Sequence, residues 1–404
     1  MLRQRIAKLL FLLVPQLLLA FFMTVVPSLS PLLQEGFGIT PTGIGFLTTS
    51  IFAGYGISSL VVGKIVDRMS FGQAFFLGHL IVGLFLWLGS FSVSYWQLFL
   101  FLLLGGFGDS LITTASAKAV ICWFPEEGRA TVSAIYKTGF PLGSAIAALF
   151  LPLVALRFSW AGAFRLIGTI FIVWGYLVIK IYQEKAENQS VVTFITEDKP
   201  QKSSLSSFSR WKVYLIGIAG MLFTVIQYCL ATYLVVYLVE ERAFSFLLAA
   251  SLLSIFQFSG IGGRIVLGLS SDFLLKDRIF TLLIAALISS GGILLLILSG
   301  STYLLYLSCV LLGFSAVGWV PLWLIIASEA VPSENSGWAA AMAMAIQSIG
   351  GLVGPPLFGF VVKMGQGFNS ALVFLLITSF ITAVSIGFLK GFTKKENSSI
   401  YSDK

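Results

Sequence analysis

Charged side chains are scarce in this sequence, and their scarcity excludes a water-soluble protein. Only 10% of the 404 residues are Asp, Glu, Lys or Arg, whereas 57% are hydrophobic. Soluble domains carry about 25% charged residues. So few charges do not cover the surface of a chain of this length, and most of that surface must therefore face lipid. We expect an integral membrane protein surrounded by membrane lipid.

Histidine and cysteine are equally rare. The chain contains one His and three isolated Cys residues. This inventory excludes a His-rich metal cluster, a zinc ribbon, a disulfide framework and a paired-cysteine redox motif. No catalytic constellation stands out either, so we expect no metal, no cofactor and no enzyme activity.

Apolar runs long enough to cross a bilayer, about 20 residues each, recur twelve times along the chain. They lie at 9–31, 44–62, 74–93, 97–123, 130–154, 160–182, 212–238, 246–270, 279–299, 302–328, 336–361 and 369–391. The fold class expected is therefore an all-α integral membrane protein with twelve transmembrane helices.

The distribution of Lys and Arg predicts the orientation of these helices. With the N-terminus placed in the cytoplasm, eighteen basic residues fall in inside segments and three in outside loops. Positive residues accumulate on the cytoplasmic side of membrane proteins. We therefore expect both termini in the cytoplasm and, because the loops are short, a bacterial inner (plasma) membrane. Insertion explains the net charge of +8, so no nucleic-acid partner is expected.

A polar segment divides the twelve spans into six and six. Residues 183–211 are rich in charge and serine, which is typical of a flexible linker. The predicted organisation is an N-terminal half at 1–182, a cytoplasmic linker at 183–211, a C-terminal half at 212–391 and a tail at 392–404. Both halves carry a similar motif, Gly63-Lys-Ile-Val-Asp67-Arg68 and Gly268-Leu-Ser-Ser-Asp272, at one offset of 205 residues (268 − 63 and 272 − 67).

The repeated motif and the six-linker-six layout resemble the major facilitator superfamily over nearly the whole chain. The resemblance implies two six-helix halves related by an axis along the membrane normal, alternating access, and a solute site at the midplane. It also implies that the paired motifs take part in gating. We assign that role to Gly63, Asp67, Arg68, Arg129, Gly268, Asp272 and Glu329.

The segment from Gly105 to Gly143 is similar to the anion:cation symporter group of that superfamily. Its features are Gly106-Phe-Gly-Asp109, Lys118, Trp123-Phe-Pro and Lys137-Thr-Gly-Phe-Pro-Leu-Gly143. The resemblance implies an organic-anion substrate and a proton site at Asp109. The group's Arg in the first helix has no counterpart, because residues 9–31 carry no charge.

Charged residues inside the spans are the candidates for function, because a charge at membrane depth costs about 2.5–3.5 kcal/mol on insertion scales. Asp109 is either the proton-coupling carboxyl or half of a fixed ion pair with Lys137. Lys137 either binds the solute anion or neutralises Asp109. Arg264 either forms a structural or gating ion pair with Glu329 or binds the solute, whereas Lys118 and Arg165 are expected to have structural roles.

Three glutamines near the middle of their spans add a second pattern. Gln227, Gln257 and Gln347 each carry an amide that must be hydrogen-bonded in an apolar environment. They line a solute site or join helices to one another.

These observations predict a secondary active transporter that moves a small organic anion with protons, and that functions as a monomer. One alternative keeps the fold and exports drugs or metabolites in exchange for protons. The alternative from another class is a membrane sensor that transports nothing.

Overall fold

A computed structural model of the chain describes residues 2–124, 132, 135–181, 207–332, 335–365 and 367–402. Every regular element in these ranges is helical. The helices are α1 (Leu2–Phe37), α2 (Pro41–Asp67), α3 (Phe71–Gly89), α4 (Tyr95–Trp123), α5 (Gly139–Ile181), α6 (Ser207–Glu240), α7 (Phe246–Leu269), α8 (Arg278–Leu298), α9 (Thr302–Ala316), α10 (Val320–Glu329), α11 (Ser336–Met364) and α12 (Phe368–Ser402). A single π-helical turn, Ser270–Leu274, follows α7.

The all-helical fold follows from the apolar composition, because a chain in lipid has to satisfy its backbone hydrogen bonds within each segment. Eleven of the described helical stretches are long and apolar enough to span a membrane. One of them, Ile135–Lys180, contains 46 residues, about twice the length that a bilayer requires.

Helix α5 is in fact two spans joined at a bend. Phe158 and Ser159 leave the helical conformation, and Ser159 has φ 65° and ψ 169°. The predicted spans at 130–154 and 160–182 fall on either side of this bend. Counting them separately gives the twelve spans that the sequence predicts.

The contacts divide the chain into two compact units. The first consists of Met1–Ile39, Phe46–Lys202 and Ser245–Ala250, and the second of Thr40–Gly45, Ser203–Phe244 and Ser251–Lys404. Most of the predicted linker, residues 183–206, lies outside the described residues. The first turn of α2 thus belongs to the second unit, where the Tyr233 hydroxyl donates to the Pro41 and Pro355 carbonyl oxygens, 2.8 Å from each.

In the first unit, α1 packs along α5, and α3 packs against both α4 and α5. Small residues allow these close approaches. A Cβ atom at Gly139 would lie 2.9 Å from the Leu13 carbonyl oxygen, and one at Gly143 would lie 2.6 Å from that of Leu17. The glycines of α5 therefore bring it against the backbone of α1, in the manner of small-residue interfaces in membranes.

In the second unit, α6 packs along α11, and α8 packs against α9 and α12. The predicted span at 302–328 is interrupted, because α9 ends at Ala316 and α10 begins at Val320. Trp319 lies within this break and Trp323 follows it, and both are almost completely buried. Trp319 stacks on Phe223 of α6 with ring centroids 4.9 Å apart, and the Trp323 indole N–H donates to the Ile216 carbonyl oxygen at 2.8 Å.

Candidate functional site

Asp109 is positioned by three glycines that press α4 against three neighbouring helices. A Cβ atom at Gly105 would lie 2.7 Å from the Phe22 ring of α1, and one at Gly106 would lie 2.8 Å from the Tyr55 backbone nitrogen of α2. At Gly108 it would lie 2.6 Å from the Gly78 carbonyl oxygen of α3. Each glycine thus serves a different interface, and together they fix the depth and rotation of the next residue, Asp109.

The Asp109 side chain is only 3% exposed. Its carboxylate accepts a hydrogen bond from the Thr113 hydroxyl, 3.1 Å away and one helical turn further along α4. No basic side chain among the described residues lies within ion-pair distance of it. The expected alternative of a fixed ion pair with Lys137 is therefore wrong.

Lys137 lies at the surface of the first unit, just before α5 begins at Gly139. The sequence placed it two turns inside a helix. A turn at Thr138 interrupts the helix instead, because the Thr138 hydroxyl and N–H both donate to the Ile135 carbonyl oxygen. The Lys137 side chain is exposed.

The three predicted glutamines all lie in the second unit, where two of them are anchored by neighbours. The Gln227 amide oxygen accepts from the Trp319 indole nitrogen at 3.2 Å. The Gln347 amide nitrogen donates to the Thr224 hydroxyl at 2.9 Å. Because an indole N–H only donates, its partner on Gln227 is the amide oxygen, and the amide NH₂ points away from the tryptophan.

Gln257 and Arg264 share one face of α7. They are seven residues apart, which corresponds to a difference of about 20° around a helix. Gln257 is 8% exposed and Arg264 is half-buried. Phe258 and Ile265 lie about 100° further around the helix and are 61% and 58% exposed. The amide and the guanidinium therefore point into the protein.

The guanidinium lies at the break between α9 and α10. Arg264 Nε donates to the Val317 carbonyl oxygen at 3.4 Å, and the indole of Trp319 donates to the Ala316 carbonyl oxygen at 3.1 Å. A Cβ atom at Gly318 would lie 2.8 Å from Gly263, so α7 contacts this break through glycine backbone. Two polar side chains thus bind carbonyl groups that the interrupted helix leaves free.

The expected ion pair between Arg264 and Glu329 is not formed. Arg278 Nη1 instead donates to both carboxylate oxygens of Glu329, and Arg278 Nη2 lies 3.5 Å from Asp272 Oδ1. The reason is position along the helices. Arg278 begins α8 and Glu329 ends α10, whereas Arg264 lies more than one turn inside α7.

This charged end of the second unit also contains an open cavity of about 850 Å³. Lys212, Lys276 and Lys390 line it together with the Arg278 network, and Ile216 and Leu389 are among its apolar residues. The predicted gating residues Asp272 and Glu329 are therefore joined through Arg278. At Gly268 an added Cβ would meet nothing within 4 Å, so packing within the described residues does not require a glycine there.

In the first unit the predicted gating motif binds a residue to which the sequence assigned only a structural role. Asp67 lies 3.7 Å from the Lys118 ammonium, which also donates to the Val66 carbonyl oxygen at 2.8 Å. Lys118 thus binds the last turn of α2, as a cation favours a helix C-terminus. Arg68 is exposed, and a Cβ at Gly63 would meet nothing within 4 Å. Arg129, which was also predicted to take part in gating, lies outside the described residues.

Sequence reasoning missed several partners that organise the site. Lys118, Arg278, Trp319 and Thr113 each bind a predicted residue. One signal was available for Thr113, since it lies four residues after Asp109 and therefore one helical turn away on the same face. The contacts of Lys118, Arg278 and Trp319 depend on which helices are neighbours, and the periodicity of the sequence does not encode that.

The fold matches known membrane transporters. A bacterial homolog of the human lysosomal transporter Spinster, solved in an inward-facing and occupied conformation, superposes with a TM-score of 0.80 and 15% identity, covering 96% of this chain and 97% of that one. The nucleoside transporter NupG, solved as a mutant, gives a TM-score of 0.74 with 15% identity over 95% and 99% of the two chains.

Residues 12–355 match the family model described as Major Facilitator Superfamily, and the chain belongs to that family. It is a membrane transporter of twelve spans and not an enzyme. Its relatives include the hexuronate transporter of Bacillus subtilis, 25% identical over 89% of this chain and 88% of that protein. They also include the probable galactarate/D-glucarate transporter GudP of the same organism, 25% identical over 90% and 86%, and the D-galactonate transporter of Escherichia coli O6:H1, 23% identical over 90% of each. The predicted likeness to the anion:cation symporters is thereby confirmed.

Proposed function

We propose that this protein is a secondary active transporter that carries a small organic anion across the membrane together with a proton. The observation that carries this proposal is the isolation of Asp109. A buried carboxylate without a cation is costly to keep charged, and a proton is the simplest species that neutralises it. A group in this position is suited to load a proton on one side and release it on the other as access alternates.

The solute class is proposed from the relatives together with the charges in the spans. Their printed names specify hexuronate, galactarate, D-glucarate and D-galactonate, all of which are hydroxylated carboxylates. In this chain basic residues outnumber acidic ones inside the predicted spans, with Lys118, Lys137, Arg165 and Arg264 against Asp109. We propose Lys137, Gln227, Gln257, Gln347 and Arg264 as solute-binding residues.

The gating assignment is proposed on the ion pairs at the ends of α2 and α10. Asp67 with Lys118, and Asp272 with Arg278 and Glu329, are half-exposed or exposed pairs of the kind that form and break at modest cost. We propose that these pairs, with Gly63, Arg68, Arg129 and Gly268, open and close the cytoplasmic side.

The cellular setting is proposed from the distribution of basic residues. Eighteen of them fall in segments on one side and three on the other, which supports cytoplasmic termini and a bacterial inner membrane. The protein is proposed to work as a monomer, with two halves at 1–182 and 212–391.

The test is uptake of labelled D-glucuronate into proteoliposomes with an alkaline interior. For one proton per solute, a gradient of two pH units supports an accumulation of about 100-fold, since tenfold in concentration corresponds to about 1.4 kcal/mol. Asp109→Asn should abolish this accumulation while preserving exchange of labelled for unlabelled solute at equal pH. Glu35→Gln, which changes an exposed carboxylate of α1, is the matched control.

Two outcomes would overturn the proposal. One is accumulation by Asp109→Asn to the level of the parent. The other is parent uptake of D-glucuronate, D-glucarate and D-galactonate that does not respond to the pH gradient.

A further inference from the structure

Arg264 is a charged group within a span of the second unit, and it forms no ion pair among the described residues. Its Nε–H donates to the Val317 carbonyl oxygen at 3.4 Å, near the upper limit for a hydrogen bond. A guanidinium has five N–H donors, and the other four have no acceptor among the described residues. No Asp or Glu occurs in α7, α8, α9, α11 or the first nine residues of α10. An arginine at membrane depth without a counter-ion is costly. A ligand with a negative charge would offset that cost.

Two glutamine amides near Arg264 provide further hydrogen-bond donors. The Trp319 indole holds the Gln227 amide oxygen and leaves the amide NH₂ of Gln227 available. Gln257, on the same face of α7 as Arg264, has no hydrogen-bond partner among the described residues, and its amide keeps accessible surface although the residue is only 8% exposed. A region with unused donors and no carboxylate is complementary to an anion that also carries hydroxyl groups.

The break between α9 and α10 supplies a second, independent indication. Irregular backbone at membrane depth is tolerated only where it is buried in protein or lines a water-filled cavity, and interrupted helices mark the solute site in many transporters. The interruption here leaves the Ala316 and Val317 carbonyls free, and Trp319 and Arg264 bind them. The discontinuity and the unpaired guanidinium therefore lie at the same place.

We infer that Arg264 binds the carboxylate of the transported solute, with Gln257 and Gln227 binding its adjacent hydroxyl groups. This inference rests on the proposed function and assigns the anion's charge to the second unit.

The test measures binding by the purified full-length protein, using D-glucuronate as the probe and D-glucose as its neutral analogue. The parent should bind the acid and discriminate against the sugar. Arg264→Gln should weaken acid binding about 100-fold, because two charge-assisted hydrogen bonds are lost, and should bind acid and sugar almost equally. Arg264→Lys should retain part of the preference, since it keeps the charge without the planar fork. Arg165→Gln, which removes an exposed arginine of α5, is the matched control and should bind like the parent.

Stability without ligand separates a binding role from a structural one. If Arg264 is unpaired in the empty protein, Arg264→Gln should melt at the same temperature as the parent or above it. A fall in melting temperature together with unchanged acid binding would show a structural role and overturn the inference.

The inference and the proposed function fail in different ways. Unchanged acid preference in Arg264→Gln overturns the inference alone, provided that Asp109→Asn still lacks gradient-driven accumulation. Binding of neither probe by the parent overturns the inference together with the solute class.

Discussion

The glycines before Asp109 allow a quantitative test of how the first unit is built. Substitution of Gly108 by Ala places a methyl carbon 2.6 Å from the Gly78 carbonyl oxygen and 2.8 Å from the Val82 nitrogen. Ordinary contact begins at 3.4 Å, so the shortfall against backbone atoms is 0.8 Å (3.4 − 2.6). Backbone atoms cannot move away by changing a side-chain rotamer. Helices α3 and α4 would therefore have to separate.

The expected cost follows from two opposing effects. Overpacking in a tight interior costs about 1–3 kcal/mol, whereas replacing a helical glycine with alanine recovers up to about 1 kcal/mol. We expect a net destabilisation of about 1–2 kcal/mol. For a unit of this size that corresponds to a fall in melting temperature of about 2–8 °C. Uptake should fall further than stability does, because Asp109 is the next residue and would move with α4.

The control is Gly56→Ala in α2, where an added Cβ meets nothing within 4 Å. At this position only the higher helix propensity of alanine affects stability. The melting temperature should therefore equal that of the parent or rise above it. Both variants are to be unfolded in one detergent at one heating rate, followed by tryptophan fluorescence, because membrane proteins unfold irreversibly in many cases. If Gly108→Ala melts and transports like the parent, the close approach of α3 and α4 is not what positions Asp109.

Three further predictions concern polar contacts away from the solute. Tyr233→Phe removes a hydroxyl bound to two backbone carbonyls and should lower stability by about 0.6–1.7 kcal/mol; an unchanged melting temperature would contradict this. Asp277→Ala removes both the N-cap of α8 and the 3.2 Å pair with Lys390 and should cost about 1 kcal/mol, whereas Asp277→Asn keeps a capping side chain and should retain most of that stability. Lys118→Met removes the bond to the Val66 carbonyl and should speed amide hydrogen exchange in the last turn of α2, with little change in α3; equal exchange in both proteins would refute the capping role.

Much of the fold was predictable because it depends on local quantities. The number of spans follows from the length of apolar runs against the thickness of a bilayer, and the bend at Ser159 separates two runs that were already distinct in sequence. Asp109 was identified for the same reason, since a charged residue within an apolar run can be recognised from the sequence alone. The family resemblance rested on short motifs such as Gly63–Arg68 and did not require the arrangement of the helices.

The partners of these residues were predicted less well, because a partner is decided by which helices are neighbours. Glu329 was expected to bind Arg264 and instead binds Arg278, the first residue of α8. Asp67 contacts Lys118, whose distance from Asp67 along the chain gives no hint of proximity. The break at Val317 was also missed, since the surrounding residues are as apolar as those of an unbroken span.

The sequence by itself determined that this chain is an all-helical membrane protein, because hydropathy and charge scarcity act residue by residue. The transporter class came from the motifs that resemble the major facilitator superfamily. The sequence also identified the few charged residues that lie within the spans. Only the tertiary structure decided which of them are neutralised. Lys118, Asp272 and Glu329 have partners of opposite charge, whereas Asp109 has none among the described residues and neither does Arg264. That distinction depends on distances of a few ångströms between helices, because the attraction that offsets the cost of a charge in lipid weakens as the two charges move apart.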